Sequence, residues 1–200
     1  MLRRTGRLTK DKEQEIGHAA AEAFMAEEGS FPNSFNARET EVYFRSVVSM
    51  CAKAGTLYTT SEKEEGFIAY WRKHKGPGWF LKLRFCMQLC SGIRLERMNA
   101  FLDKLKDWQD YEEQFRKEKD YVNVFMVFVR KEYQGHGFLN QLTKEAMDMA
   151  DTYGIPCILD TDSEKKEKKY TAAGFHTVKH GTLPDGTEMY TMAYIPEKKK

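Results

Sequence analysis

Apolar positions recur along this chain with two periods, and the change from one to the other divides it. From Asp11, the residues Ile16, Ala20, Ala23 and Phe24 fall at helical spacing. Asn36 followed by Glu39 has the spacing of a capping box, where each side chain satisfies the other's backbone amide. Phe44, Val47, Val48 and Cys51 then trace one face of a second helix that Gly55 ends. Leu2 to Leu8 reads as a short first strand, and Thr56–Thr60 with Gly66–Trp71 reads as a hairpin. Lys75-Gly76-Pro77-Gly78 interrupts the pattern. After it, Phe80, Leu83, Met87 and Cys90 form one apolar stripe, and Leu95, Met98, Leu102, Leu105 and Trp108 form another. Spacings of three and four predict two amphipathic helices over residues 77–118, expected to pack as a helical hairpin on the rest of the chain.

The period then shortens. Tyr121–Val129 is nearly all β-branched and aromatic, the composition of a strand buried on both faces. A helix over Gly137–Asp151 turns Leu139, Leu142, Ala146 and Met149 inward, and Ile155–Leu159 is a further apolar strand. A charged helix covers Ser163–Ala173. Phe175–His180 and Glu188–Ile195 are strands joined by the turn Leu183-Pro184-Asp185-Gly186. A strand joined to the next by a helix crossover pairs with it in parallel, so a parallel pair is expected inside a mixed sheet. The fold class is α/β (α+β): one domain over 1–196, a helical insertion at about 77–118 between the third and fourth strands, and a solvated basic tail at 197–200.

Composition narrows the function. Two hundred residues, 41% hydrophobic and 13% aromatic, sustain a packed core, which argues against disorder. Thirty-two Lys and Arg against thirty Asp and Glu leave a net charge of +2, so no global field points to nucleic acid or a membrane as partner. No apolar run approaches a membrane span, and MLRRTGRLTKDKEQE lacks the apolar core of a secretory signal. Cys51, Cys86, Cys90 and Cys157 show no zinc-site spacing, and Cys86 and Cys90, four apart, read as two small buried apolar groups, so a reducing, cytoplasmic setting and no metal are expected.

Chemistry concentrates in the turn after the buried strand, Gln134-Gly135-His136-Gly137. The free N–H groups of the helix that starts there point outward and carry partial positive charge, and glycine lets an anion approach the main chain. No Walker-type GxxxxGK and no GxGxxG is present. On its own the glycine pair reads first as a tight strand-to-helix connection. Downstream, the strand Ile155–Leu159 ends in Asp160-Thr161-Asp162, and the following helix carries Tyr170 before Ala173-Gly174-Phe175.

In that order these segments resemble the GNAT superfamily of N-acetyltransferases. Gln134, Gly135, His136, Gly137, Phe138 and Leu139 occupy its [Q/R]xxGx[G/A] acetyl-CoA signature, and Tyr170–Phe175 resembles its Y-x-x-x-G-F ending. The resemblance covers about Tyr121 to Ile195. Leu139 stands where the signature has a small residue, Ser163 where many members carry Asn, and the strand Tyr121–Val129 has no carboxylate.

The resemblance implies a mainly antiparallel mixed sheet with helices on both faces and a splayed parallel strand pair. Acetyl-CoA would lie between those strands, with the backbone of Val127, Phe128 and Val129 bonding its pantetheine. Gln134 to Leu139 would hold the pyrophosphate, and Ser163 would make a further contact. His136 then faces phosphate, as an exposed turn residue and not an acid or base. Tyr170 matches the family's general acid, with plain packing as the alternative. Asp160, expected to be buried with a raised pKa, is the candidate base, the alternatives being a helix cap, a surface carboxylate, or a water chain serving as base. The implied reaction is direct transfer of acetyl to a primary amine of a small molecule. A protein N-terminus or lysine as acceptor, and a non-catalytic CoA-binding sensor, stay open, as does a homodimer.

Overall fold

Strand β4 (Val122–Val129) is the spine of a sheet that, in the computed structural model, runs β1-β2-β3-β4-β5-β7-β6. Its companions are β1 (Arg3–Arg4), β2 (Leu57–Thr59), β3 (Gly66–Arg72), β5 (Cys157–Thr161), β6 (His176–Thr182) and β7 (Glu188–Tyr194). The structure describes residues 1–26, 29–118 and 120–197. Neighbouring strands are antiparallel except β4 and β5, which are parallel as the crossover between them requires.

Helices cover both faces. Leu142, Ala146 and Ala150 of α6 (Phe138–Tyr153) and Tyr170 of α7 (Glu164–Ala172) pack on Ile68, Tyr70, Val122, Val124, Cys157 and Leu159. On the opposite face, Ile16 and Ala20 of α1 (Lys10–Met25) and Phe44, Val47 and Val48 of α3 (Ala37–Ala54) pack on Phe67, Ala69, Met126 and Phe128. Phe67 and Ile68, adjacent in β3, are fully buried in opposite layers; withdrawing each from water stabilises the fold by about 1.5–3 kcal/mol. The register between β3 and β4 shifts at Ala69/Tyr70, which pair with Met126 and Val124. Phe125 is the extra residue and stands exposed against the Trp71 ring, so β4 is not buried on both faces throughout its length.

The capping box forms as its spacing predicts. Asn36 Oδ1 accepts from the Glu39 amide at 2.9 Å, and Glu39 Oε2 accepts from the Asn36 amide at 3.2 Å. A five-residue helix α2 (Ser30–Ser34), too short for a periodic signal, precedes it.

The segment between β3 and β4 is helical, as α4 (Trp79–Gly92) and α5 (Leu95–Glu118), but its stripes do not all face inward. In α4 the inward positions are Leu81, Phe85 and Leu89, while Phe80, Leu83, Met87 and Cys90 are exposed. Cys86 is exposed too, so the burial expected of Cys86 and Cys90 fails; Cys51 and Cys157 are buried. The helix is apolar on both sides, and spacing alone cannot say which side meets the core. In α5, Met98, Phe101 and Trp108 are buried, whereas Leu95 and Leu102 are exposed. The side chain of Leu105 lies outside the described residues, as does the basic tail beyond Glu197.

The insertion is tied at both ends. Phe101 packs against Phe31 and Phe35, and Arg97 pairs with Glu39. Farther along, Trp108 meets Leu183 and Met189, with the Lys179 ammonium 3.8 Å from its ring centroid. Gly92 brings α4 close to α3: a Cβ there would lie 2.6 Å from Val42 Cγ1.

Candidate active site

β4 and β5 stay in register over two pairs, Val122 with Cys157 and Asn123 with Ile158, and then part. Beyond Asn123, β4 keeps β3 on one side, pairing Ile68 with Val127, Phe67 with Phe128 and Gly66 with Val129. On its other side the strand borders a cleft of about 540 Å3. An extended ligand laid there can bond the backbone of Val127–Val129 as an added strand would.

At one end of the cleft lies the glycine turn. A 3-10 turn, Lys131–Tyr133, leads from β4 to Gly135 and Gly137, both at φ 81°. In that left-handed region a side chain would be strained, and a Cβ at either residue would meet nothing within 4 Å. Gly137 is the N-cap of α6 and supplies no side-chain acceptor, so the first amides of a sixteen-residue helix are left to a ligand or to solvent. That chemistry fits a diphosphate.

The other end is ringed by aromatics. Phe24, Phe31, Tyr43, Phe44 and Phe101 line it, drawn from α1, α2, α3 and α5. Phe24 stacks on Phe44 at 4.4 Å, and Phe31 lies 5.0 Å from Tyr43. Burial pushes the Tyr43 phenol up to about 12, so it stays neutral at ordinary pH. Along the β5 wall come Asp160, Thr161 and Asp162, with Lys166, Lys169 and Tyr170 of α7 beside them.

The structure thus gathers around one cleft most of the residues singled out in the sequence: Val127, Phe128, Val129, Gln134, Gly135, Gly137, Phe138, Leu139, Asp160 and Tyr170. Gln134 Nε2 donates to the Val129 carbonyl at 3.3 Å, tying the turn to the strand end. Leu139 packs on the core beneath α6, where a larger residue than the signature's is accommodated. Tyr170 is buried, edge-on to Phe175.

Two residues singled out in the sequence lie outside the lining, and one expectation changes. His136 is exposed, as expected of a turn residue, and does not line the cleft; its Nδ1 sits 3.0 Å from the Gln134 carbonyl. Ser163 is also outside the lining, because its hydroxyl accepts from the Lys166 amide and caps α7. Asp160 is exposed, not buried, because it lies at the open end of β5; its Oδ1 accepts from Thr191 Oγ1 at 2.9 Å. The buried carboxylate is Asp162, paired with Lys166, whose ammonium lies 5.3 Å from the Phe24 ring centroid.

Sequence reading missed Asp162, Thr161 and the aromatic end. Thr161 ends β5 and Asp162 follows it; alternation along the strand could have flagged Thr161, which shares a face with Leu159, but not Asp162. The rings come from four separate elements and leave no local signature. Thr161 is nine-tenths buried, and its hydroxyl has no hydrogen-bond partner among the described residues. Those residues also hold no group of three or more His, Cys, Asp or Glu arranged to bind a metal, and no helix among them is long and apolar enough to cross a membrane.

Comparison with known proteins bears on the fold. The family described as Acetyltransferase (GNAT) domain matches residues 113–196. Among solved structures, a mosquito arylalkylamine N-acetyltransferase-like protein, 5b, superposes with a TM-score of 0.64 at 15% identity, covering 98% of this chain and 99% of that one. Arylalkylamine N-acetyltransferase 2 from Aedes aegypti gives 0.62 at 12% identity, over 95% and 97%. A polyamine N-acetyltransferase from Drosophila melanogaster gives 0.59 at 11% identity, over 98% and 99%. At such identities the likeness speaks for the fold. No curated protein matches the chain.

Proposed function

We propose that the chain is an acyltransferase that moves acetyl directly from acetyl-CoA to the primary amine of a small molecule with an apolar or aromatic body, a reading supported by the match of residues 113–196 to the Acetyltransferase (GNAT) domain family and by the shared fold. One observation carries the reading: β4 and β5 part beyond Asn123 and Ile158 into a cleft that joins an uncapped glycine turn to a ring-lined end. The backbone of Val127–Val129 and the amides from Gly135 to Leu139 fit a pantetheine and a diphosphate, and the rings fit the body of the acceptor. The Drosophila polyamine and Aedes arylalkylamine acetyltransferases share the fold, and their names support an amine as acceptor.

Bound acetyl-CoA supplies the activated thioester; the chain's own residues position it and move protons. An alkylamine has a pKa near ~10 and must lose a proton before its nitrogen can attack. Asp160, an exposed residue of the cleft lining, would take that proton directly or through water. As the carbon–nitrogen bond forms and the carbon–sulfur bond breaks, sulfur leaves with the electron pair and needs a proton, for which Tyr170 is the donor. An acyl-cysteine route has no support, since burial raises the Cys51 and Cys157 thiols to about 12 and none of the four cysteines lines the cleft.

The test is acceptor-dependent release of free thiol from acetyl-CoA across aryl-alkyl, aliphatic and polyamine acceptors and peptides. The expected outcome is turnover on small amines with an apolar body and a loss on Tyr170→Phe of about 10²-fold in kcat. Mass shifts on peptides alone would move the acceptor to proteins, and tight CoA binding without turnover on any acceptor would mark a sensor.

A further inference from the structure

The outer face of α4 has no role in the cleft. Trp79, Phe80, Leu83 and Met87 are 76%, 63%, 51% and 66% exposed. At 100° per residue, these four with Cys86 and Cys90 fall within a sector of about 120°. Lys82 borders that sector on one side and Arg84 on the other, and neither makes an ion pair with a described residue. From Gly66 to Leu95 the chain has no Asp or Glu, yet it has Arg72, Lys73, Lys75, Lys82, Arg84 and Arg94. Of these cations Arg72 is paired with Asp120, whereas Lys82 and Arg84 stand exposed on α4 itself at the two edges of the apolar stripe.

We infer that this face of α4 seats the protein on an anionic lipid surface, the helix lying in the interfacial plane. The occupant is argued from charge. A lipid surface takes the apolar stripe into its acyl boundary and meets the flanking cations with anionic headgroups. Two-fold pairing with a second copy would instead set Lys82 and Arg84 against the same cations. The inner face is already committed, through Leu81, Phe85 and Leu89, so the helix can dock without unfolding anything. Tryptophan at the first helical position places an amphipathic ring at the headgroup level. The inference is independent of which acceptor the cleft takes.

The experiment is sedimentation of the full chain, under reducing conditions, with vesicles of phosphatidylcholine alone or mixed with phosphatidylglycerol. Binding is expected to the mixed vesicles, to weaken with added salt, and to shift tryptophan emission to the blue, a shift that Trp79→Phe removes. Lys82→Glu and Arg84→Glu should each weaken partition by at least roughly fivefold, the equivalent of about 1 kcal/mol per cation. Leu83→Glu combined with Met87→Glu should abolish it while acetyl transfer to a soluble amine, or CoA binding, stays unchanged. Equal or absent binding to both vesicle types overturns the inference. So does a concentration-dependent dimer, seen by light scattering and abolished by the same pair of substitutions, which would assign the face to a second copy.

Discussion

At the residue scale, the account rests on positions whose chemistry is set by backbone or burial. Gly137 has a left-handed φ with open space beside it, as does Gly154 at the C-cap of α6. A valine at either is strained by about 1–2 kcal/mol, but only Gly137 borders the cleft. Gly137→Val should lower CoA affinity about a hundredfold or more, by calorimetry, because the helix-start amides are no longer open to the diphosphate. Gly154→Val should melt at a similarly lowered temperature and bind CoA as before; equal loss in both would place the diphosphate elsewhere. Thr161 has a different signature. A buried hydroxyl without a partner costs about 1–3 kcal/mol, so Thr161→Val should leave the ligand-free melting temperature unchanged or raised. Thr161 shares a strand face with Leu159, on the side of α6 and α7, so the same variant should weaken acetyl-CoA binding about tenfold. A fall in melting temperature with unchanged affinity would make the hydroxyl structural. The glycine pair was legible in the sequence because conformational demand is written in residue type. The burial of Asp160 was misread because exposure at a strand end depends on where the neighbouring strand turns away.

At the scale of elements, the strands were readable because the β-branched and aromatic run at β4 and the short apolar run at β5 have few other uses, and the capping box because its two partners are three residues apart. The facing of α4 was not, since Leu81, Phe85 and Leu89 compete with Phe80, Leu83 and Met87 for the core, both sets at helical spacing. The cap also carries a pH dependence. Burial opposes the charge on Glu39, but hydrogen bonds from the Asn36 amide and the Arg97 guanidinium outweigh it and hold the carboxyl below its ordinary 4.5. A depressed folded pKa contributes stability that is fully present above the unfolded value and lost as pH falls through the folded one. Melting temperature should therefore decline as pH drops below 4.5, and Glu39→Gln, less stable at neutral pH, should show a shallower decline. An unchanged slope would remove Glu39 from the acid sensitivity. Because Arg97 belongs to α5, the same variant tests how firmly the insertion is tied to α3.

At the scale of the whole molecule, one topological fact organises the rest: a parallel pair in an otherwise antiparallel sheet must be joined by a helix, and where its strands part a ligand can complete the sheet. The order of elements made that pair legible, and the resemblance supplied the cleft; the aromatic end became visible only in three dimensions. The most direct measurement is a titration of the isotopically labelled protein with CoA, followed through backbone amide resonances. Shifts concentrated at residues 127–129 and 134–139, with Gly135 and Gly137 among the largest, are the predicted result. Saturable binding that leaves those amides unmoved, or no binding at all, would contradict it.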